Sequence, residues 1–219
     1  MGPELRRMPE EGRSRELLTT VPGNRYVWFF SLAILGVAID LISKEVVFQQ
    51  LGFPGGQRGE PFFDGWVMFT FVTSVNEGAL WGIGQGYTWV FALLSVVAIV
   101  AVCAWLFVYK AARSLWLTIA LGLIMAGTLG NLYDRAGLHG LLKAGEPLFG
   151  VRDFLLFTFG GWPWPVFNFA DCFLVAGAIM LGVQAFFMEE TAEGKTPTSG
   201  PAKAAVSPES DSMQQSPAT

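Results

Sequence analysis

"PVFNFADCF", residues 165–173, opens an apolar run that continues to about residue 188. A helix crosses a bilayer with roughly 20 apolar residues, so the run is long enough to span one. Its first turns nonetheless carry Asn168 and Asp171. A carboxylate at that depth costs roughly 3 kcal/mol or more on any scale. Either a neighbour offsets that cost or Asp171 does chemistry.

Three further windows, about 26–48, 87–109 and 115–133, have the same apolar character. The 219-residue chain is 52% hydrophobic and only 15% charged, with a mean hydropathy of +0.45. A soluble domain carries roughly 25% charged residues. These features predict an all-α membrane protein, a four-transmembrane-helix bundle, and exclude a soluble enzyme with a tail. The stretch 66–75, "WVMFTFVTSV", is β-branched and aromatic between "FDG" and "NEG". It reads as one or two strands at the membrane surface, giving a small extracytoplasmic β-rich loop region.

Three segments follow: a polar cytoplasmic tail 1–25, a membrane domain 26–188 and a C-terminal tail 189–219. The first holds five Arg and four Glu and lacks the apolar core and small-residue cleavage site of a signal peptide, so span one is expected to stay uncleaved. The last is rich in Ser, Pro, Ala and Thr and is expected to be disordered. Cys103 and Cys172 both fall within spans, without a setting that would activate a thiol or support a disulfide framework. The single histidine, His139, has no clustered partners, so no metal site is expected.

Four spans put both termini on one side. Placing that side in the cytoplasm gives it nine of the fourteen Lys and Arg: five in the N-tail, Lys110 and Arg113 in a short loop, and Lys195 and Lys203. The positive-inside rule therefore favours N-in and C-in. The longer connections, 49–86 and 134–164, then face the exterior. Trp66, Trp81, Trp89, Trp162 and Trp164 lie near predicted interfaces, where most are expected to act as anchors. Gly122, Ala126 and Gly130, four apart, form a small-residue face for helix packing.

Under this topology the polar residues at span ends gather on the outer side. Asp40 and Lys44 lie four apart and suit an ion pair at the end of span one. Asn131, Asp134 and Arg135 end span three on one face, and Asp134 with Arg135 reads as an interfacial anchor or a loop-holding pair. Asn168, a cap or a cross-helix bond, shares a face with Asp171, and no base lies within a turn of that acid. An intramembrane acid without a local partner is a functional hypothesis by default. Ser-His and Cys-His arrangements, HExxH, CxxC and Walker-type loops are all absent, so hydrolysis must rest on carboxylates. Two close carboxylates do not both ionise easily: one keeps a proton while the other activates water. Asp153 in the outer loop, Asp134 and Asp40 all remain open as partners of Asp171. The competing reading is a transporter, but its acids belong near the midplane and in repeats.

The motifs resemble those of the lipoprotein signal peptidases (signal peptidase II), from about residue 30 to 187. "IDLISK" (39–44), "NEGALWG" (76–82), "GTLGNLYDR" (127–135), "GVRDF" (150–154) and "FNFAD" (167–171) stand in the family's order. The resemblance implies Asp153 and Asp171 as a catalytic dyad. It implies Asn76, Gly78, Asn131, Arg135 and Asn168 in substrate positioning or site organisation, with Asp40, Lys44 and Asp134 as support. It further implies a bacterial inner-membrane aspartic endopeptidase whose partners are membrane lipids and a diacylglyceryl-modified prolipoprotein, cleaved before the lipid-bearing Cys. No cofactor, metal or nucleic-acid partner is expected, and the chain is read as a monomer. Arg152, Trp81 and Cys172 depart from the family pattern, as does an insert-like "LLKAGEPLFG" (141–150). A cation at Arg152 would depress the pKa of Asp153 if it turned inward, although sequence neighbours on a strand point to opposite faces.

Overall fold

The computed structural model describes residues 21–53, 58–78 and 84–193, with side chains as far as Phe186. Most of the two tails, and Trp81 of "NEGALWG", lie outside the described residues.

Four long apolar helices form the membrane fold: α1 (Asn24–Leu51), α2 (Thr88–Cys103), α3 (Leu115–Arg135) and α4 (Phe169–Glu193). The last turn of α2 widens into a π turn at Ala104–Val108, which carries the span on to Val108. Two boundaries differ from expectation. Residues 165–168 are not helical, because Phe167 pairs with Leu155 of the sheet before α4 begins. At the other end α4 runs on to Glu193, past the expected tail boundary at 189.

Helix α3 is the axis. Of its apolar window 56% is buried, against 11% for α2 and α4. Side chains such as Val27, Ile34, Leu93, Val97, Val175 and Ile179 are exposed on the other helices, as spans surrounded by lipid require. The small-residue face performs the packing expected of it. Gly122 lies against Leu32, Ala126 against Gly36 and Gly130 against Asp40, so α1 and α3 run parallel with four-residue steps in register. A Cβ at Gly127 would strike the carbonyl oxygen of Ala170, which brings the start of α4 onto α3. Without a hydrophobic drive between helices in lipid, such close backbone approach is what holds spans together.

A three-stranded sheet covers the end of the bundle where α1 and α3 finish and α4 starts. Its order is β1 (Val67–Asn76), β4 (Val151–Phe159) and β5 (Trp162–Pro163), all antiparallel. The "insert" is mostly a separate hairpin, β2 (Leu142–Lys143) and β3 (Glu146–Pro147), turning on Ala144 and Gly145 with positive φ at both. Phe154 and Leu155 of β4 pack on Val47 and Phe48 of α1 and seat the sheet on the helices. Between Phe71 and Ser74 the β1 register shifts, placing a bulge beside Asp153. Bulges next to a site re-aim a side chain, and here Ser74 comes opposite Asp153.

Candidate active site

Helix α4 starts with a capping box. Asn168 is its N-cap: the Asp171 N–H donates to Asn168 Oδ1 (3.0 Å), and the Asn168 N–H donates back to Asp171 Oδ2 (3.1 Å). The oddity of "FNFAD" is thus half local. Asp171 satisfies a helix terminus, where the dipole also favours a negative charge. The other half is tertiary. Asn131 Nδ2 on α3 donates to Asp171 Oδ1 (2.9 Å), while Asn168 Nδ2 donates to Asp153 Oδ1 (2.6 Å) and to Asn131 Oδ1 (3.2 Å). Two asparagines therefore tie two acids from β4 and α4 into one cluster. Asn76, closing β1, also hydrogen-bonds Asp153, and its Oδ1 accepts from the N–H of Gly78 (3.0 Å).

Asp153 is only 3% exposed. Burial first, and the Asp171 carboxylate second, hold its carboxyl well above the usual carboxylate range, against the opposing pull of Asn168, Lys44 and Asn76. Both acids line a cavity of about 720 Å³ together with Asn76, Asn131 and Arg135. The cavity continues along α4 past Val175 to Ile179, an apolar trough on the exposed face of that helix. Arg135 borders it with its guanidinium 5.6 Å from the Phe91 ring centroid, and its buried Nε has no partner among the described residues.

Behind this cluster lies a second one. Lys44 Nζ, fully buried, donates to Asp40 Oδ2 (2.7 Å) and Asn131 Oδ1 (3.1 Å) and stands 3.1 Å from Asp134 Oδ2. Asp40 Oδ1 accepts from the N–H of Ala170 (2.9 Å) in the first turn of α4. Asp134 pairs with Lys44 and Arg152 rather than with Arg135, which corrects the loop-holding pair suggested by their adjacency. Arg152 turns away from Asp153, as strand alternation requires. Its backbone N–H donates to Asp134 Oδ2 (2.9 Å), its Nε to Oδ1 (3.1 Å), and its Nη1 reaches Glu45 Oε2 (2.9 Å).

Comparison with known proteins gives the family. Residues 32–187 match the family model described as signal peptidase (SPase) II. A lipoprotein signal peptidase of Rhodopirellula baltica is 52% identical over 75% of this chain and 74% of its own length. One from Mycobacterium tuberculosis is 35% identical over 81% of this chain and 80% of its own. The chain belongs to the signal peptidase II family of aspartic peptidases. The fold agrees as well: a solved bacterial membrane enzyme superposes with a TM-score of 0.60 at 24% identity, over 78% of this chain and 93% of that one. A second does so with 0.56 at 26%, over 72% and 91%. This signal peptidase is thus a multi-pass bacterial membrane enzyme.

The structure gathers Asn76, Asn131, Arg135, Asp153, Asn168 and Asp171 around one cavity or its hydrogen bonds, and groups Asp40, Lys44 and Asp134 behind it. Gly78 is buried against the site through Asn76. His139 stays apart, with its Nδ1 accepting the Leu141 N–H (3.0 Å), and burial lowers its pKa. Sequence reasoning missed Glu45 as a partner of Arg152. It also missed the trough on α4, although Asp171, Val175 and Ile179 at four-residue spacing carried the signal.

Proposed function

We propose that Asp153 and Asp171 are the catalytic dyad through which this signal peptidase removes the signal peptide from diacylglyceryl-modified prolipoproteins, cutting before the lipid-bearing Cys. The observation that carries the reading is the pair of carboxyls held on one cavity by Asn168 and Asn131, one of them buried and biased toward its protonated form. Asp153 is the acid, and Asp171, whose two oxygens accept N–H donors from Asn131 and Asn168, is the base. Substrate enters from the bilayer with its acyl chains along the α4 trough. Asp171 takes a proton from water as the water oxygen bonds to the scissile carbonyl carbon. Asp153 gives its proton to the carbonyl oxygen, forming a neutral tetrahedral intermediate. Collapse returns a hydroxyl proton to Asp153, delivers the Asp171 proton to the departing amine, and breaks the C–N bond. Arg135 and Asn76, at the cavity wall, position the substrate backbone.

The distribution of Lys and Arg supports both termini in the cytoplasm and the dyad near the extracytoplasmic face of the inner membrane. Purified enzyme incubated with a diacylglyceryl-modified prolipoprotein in detergent should release the signal peptide, and Asp153→Asn or Asp171→Asn should stop release. A variant of either position with near-normal turnover would overturn the dyad.

A further inference from the structure

A second cavity, about 440 Å³, meets the first at Asp153. Both include Asn76, Asp153, Trp164 and Val166, but they run in different directions. The first follows the exposed face of α4 along the helix. The second lies on the sheet, beyond the helix ends, between Ser74 of β1, Gln85 and the segment 163–166. The mechanism above makes no use of it. We propose that this sheet-side cavity binds the polypeptide on the mature side of the scissile bond, taking a short, extended, uncharged stretch of the residues that follow the lipid-bearing Cys. The proposal rests on the signal-peptidase reading of the dyad.

A substrate of this kind has three limbs: an apolar signal helix, a pair of acyl chains and the mature chain. The first two belong in the bilayer, and only the third must leave it. Of the two cavities, the apolar trough suits a limb in the membrane, and the sheet-side one opens where only the third limb goes. Ser74 stands opposite Asp153 in the β1–β4 register, so a chain held there continues directly from the reacting carbonyl.

The lining also defines what fits. Among the described residues, no ionisable side chain apart from Asp153 borders this cavity. Ser74, Asn76 and Gln85 offer a hydroxyl and amides, which bond neutral polar groups and backbone. A charged residue seated there would lose water without gaining a counter-ion. Pro163 and Pro165 remove two N–H donors from the wall, so recognition works through side-chain groups rather than through a continuous added strand. The volume is that of an ordinary ligand pocket, within roughly 300–1,000 Å³.

Gln85 gives the test, because it is exposed, makes no contribution to the dyad and lies between two positive-φ glycines, Gly84 and Gly86. Full-length enzyme, with Gln85→Lys and Gln85→Glu, is assayed in detergent on synthetic diacylglyceryl lipopeptides. One ends at the lipid-bearing Cys as an amide. The others extend six residues beyond it, with a neutral residue, Lys or Glu in the second position after the Cys. The unaltered enzyme should show kcat/KM about tenfold higher for the neutral extended peptide than for the truncated one. Q85K should raise the Glu peptide relative to the Lys peptide roughly fivefold, and Q85E should do the reverse. All three enzymes should cleave the truncated peptide alike. Equal rates on truncated and extended peptides, or variants that change every substrate by the same factor, would overturn the subsite while leaving the dyad intact. Failure of the unaltered enzyme to cleave any of these peptides would instead overturn the signal-peptidase reading and the subsite with it.

Discussion

Two pairs of carboxylates, three of the four buried and Asp171 half-buried, sit at the same end of the bundle, within one hydrogen-bonded assembly, and are held in opposite ways. Asp40 and Asp134 face cations: Lys44 between them, and Arg152 on Asp134. Asp153 and Asp171 are held by the amides of Asn168 and Asn131 and by a backbone N–H. A carboxylate ion-paired to a buried cation has its oxygens committed to the scaffold. One held by neutral amides beside a second acid can exchange a proton. The contrast separates scaffold from chemistry among residues of a single type, and Asn131 joins the halves by accepting from Lys44 and donating to Asp171.

The largest way to break the contrast is to remove one reactive carboxyl. Asp153→Asn or Asp171→Asn should lower single-turnover cleavage about 10³- to 10⁴-fold while leaving the thermal unfolding midpoint nearly unchanged. The opposite profile is expected on the charged side. Lys44→Met leaves Asp40 and Asp134 buried with one fewer cation and should destabilise the fold by about 3–5 kcal/mol, read as a fall in Tm in detergent. Arg152→Leu is milder, because Lys44 and the backbone N–H at 152 still serve Asp134. It should cost about 1–3 kcal/mol of stability, with residual activity within severalfold of the unaltered enzyme.

The pH profile sharpens the same point. Turnover needs Asp153 protonated, so kcat should fall about tenfold per pH unit once the pair loses its shared proton. That alkaline limb should lie well above the ordinary carboxylate range, because burial first and Asp171 second retain the proton. The pair, not either residue, owns the apparent value. The sign for stability runs the same way. Between the unfolded and the raised folded pKa the folded state binds more protons, so the contribution of Asp153 to stability falls as pH rises through that window. The smallest effect separates capping from holding. Asn168→Ser keeps a cap on α4 and should change stability by no more than about 1 kcal/mol, yet it lacks the amide that reaches Asp153 and should lose about tenfold in kcat.

The sequence and the structure divide the account unevenly. The four spans were legible because length and apolarity suffice to define them, and so was the step-of-four face on α3, since Gly122, Ala126 and Gly130 answer to helical period. Strand β1 stood out by its β-branched and aromatic run. The start of α4 was misjudged because "PVF" is as apolar as a helix, whereas Phe167 spends its backbone groups on Leu155. The pairing of Asp134 was misjudged because adjacency on a helix suggested Arg135, while Lys44 and Arg152, on other elements, reach its two oxygens.

The sequence by itself determined that this chain spans a membrane and that any hydrolysis must rest on carboxylates, because these follow from composition and from which nucleophiles are missing. Ordered motifs supplied the resemblance to a family. Only the tertiary structure decided which acids meet amides and which meet cations. Apart from the local Asp40–Lys44 and Asn168–Asp171 contacts, that choice depends on contacts between residues 15 to 130 positions apart, as between Asp153 and Asn168 or Asp40 and Ala170, and no local period encodes it. Asp171 is affordable at a helix start because the Asn168 cap and Asn131 together satisfy it, and useful there because β4 brings Asp153 to the same cavity.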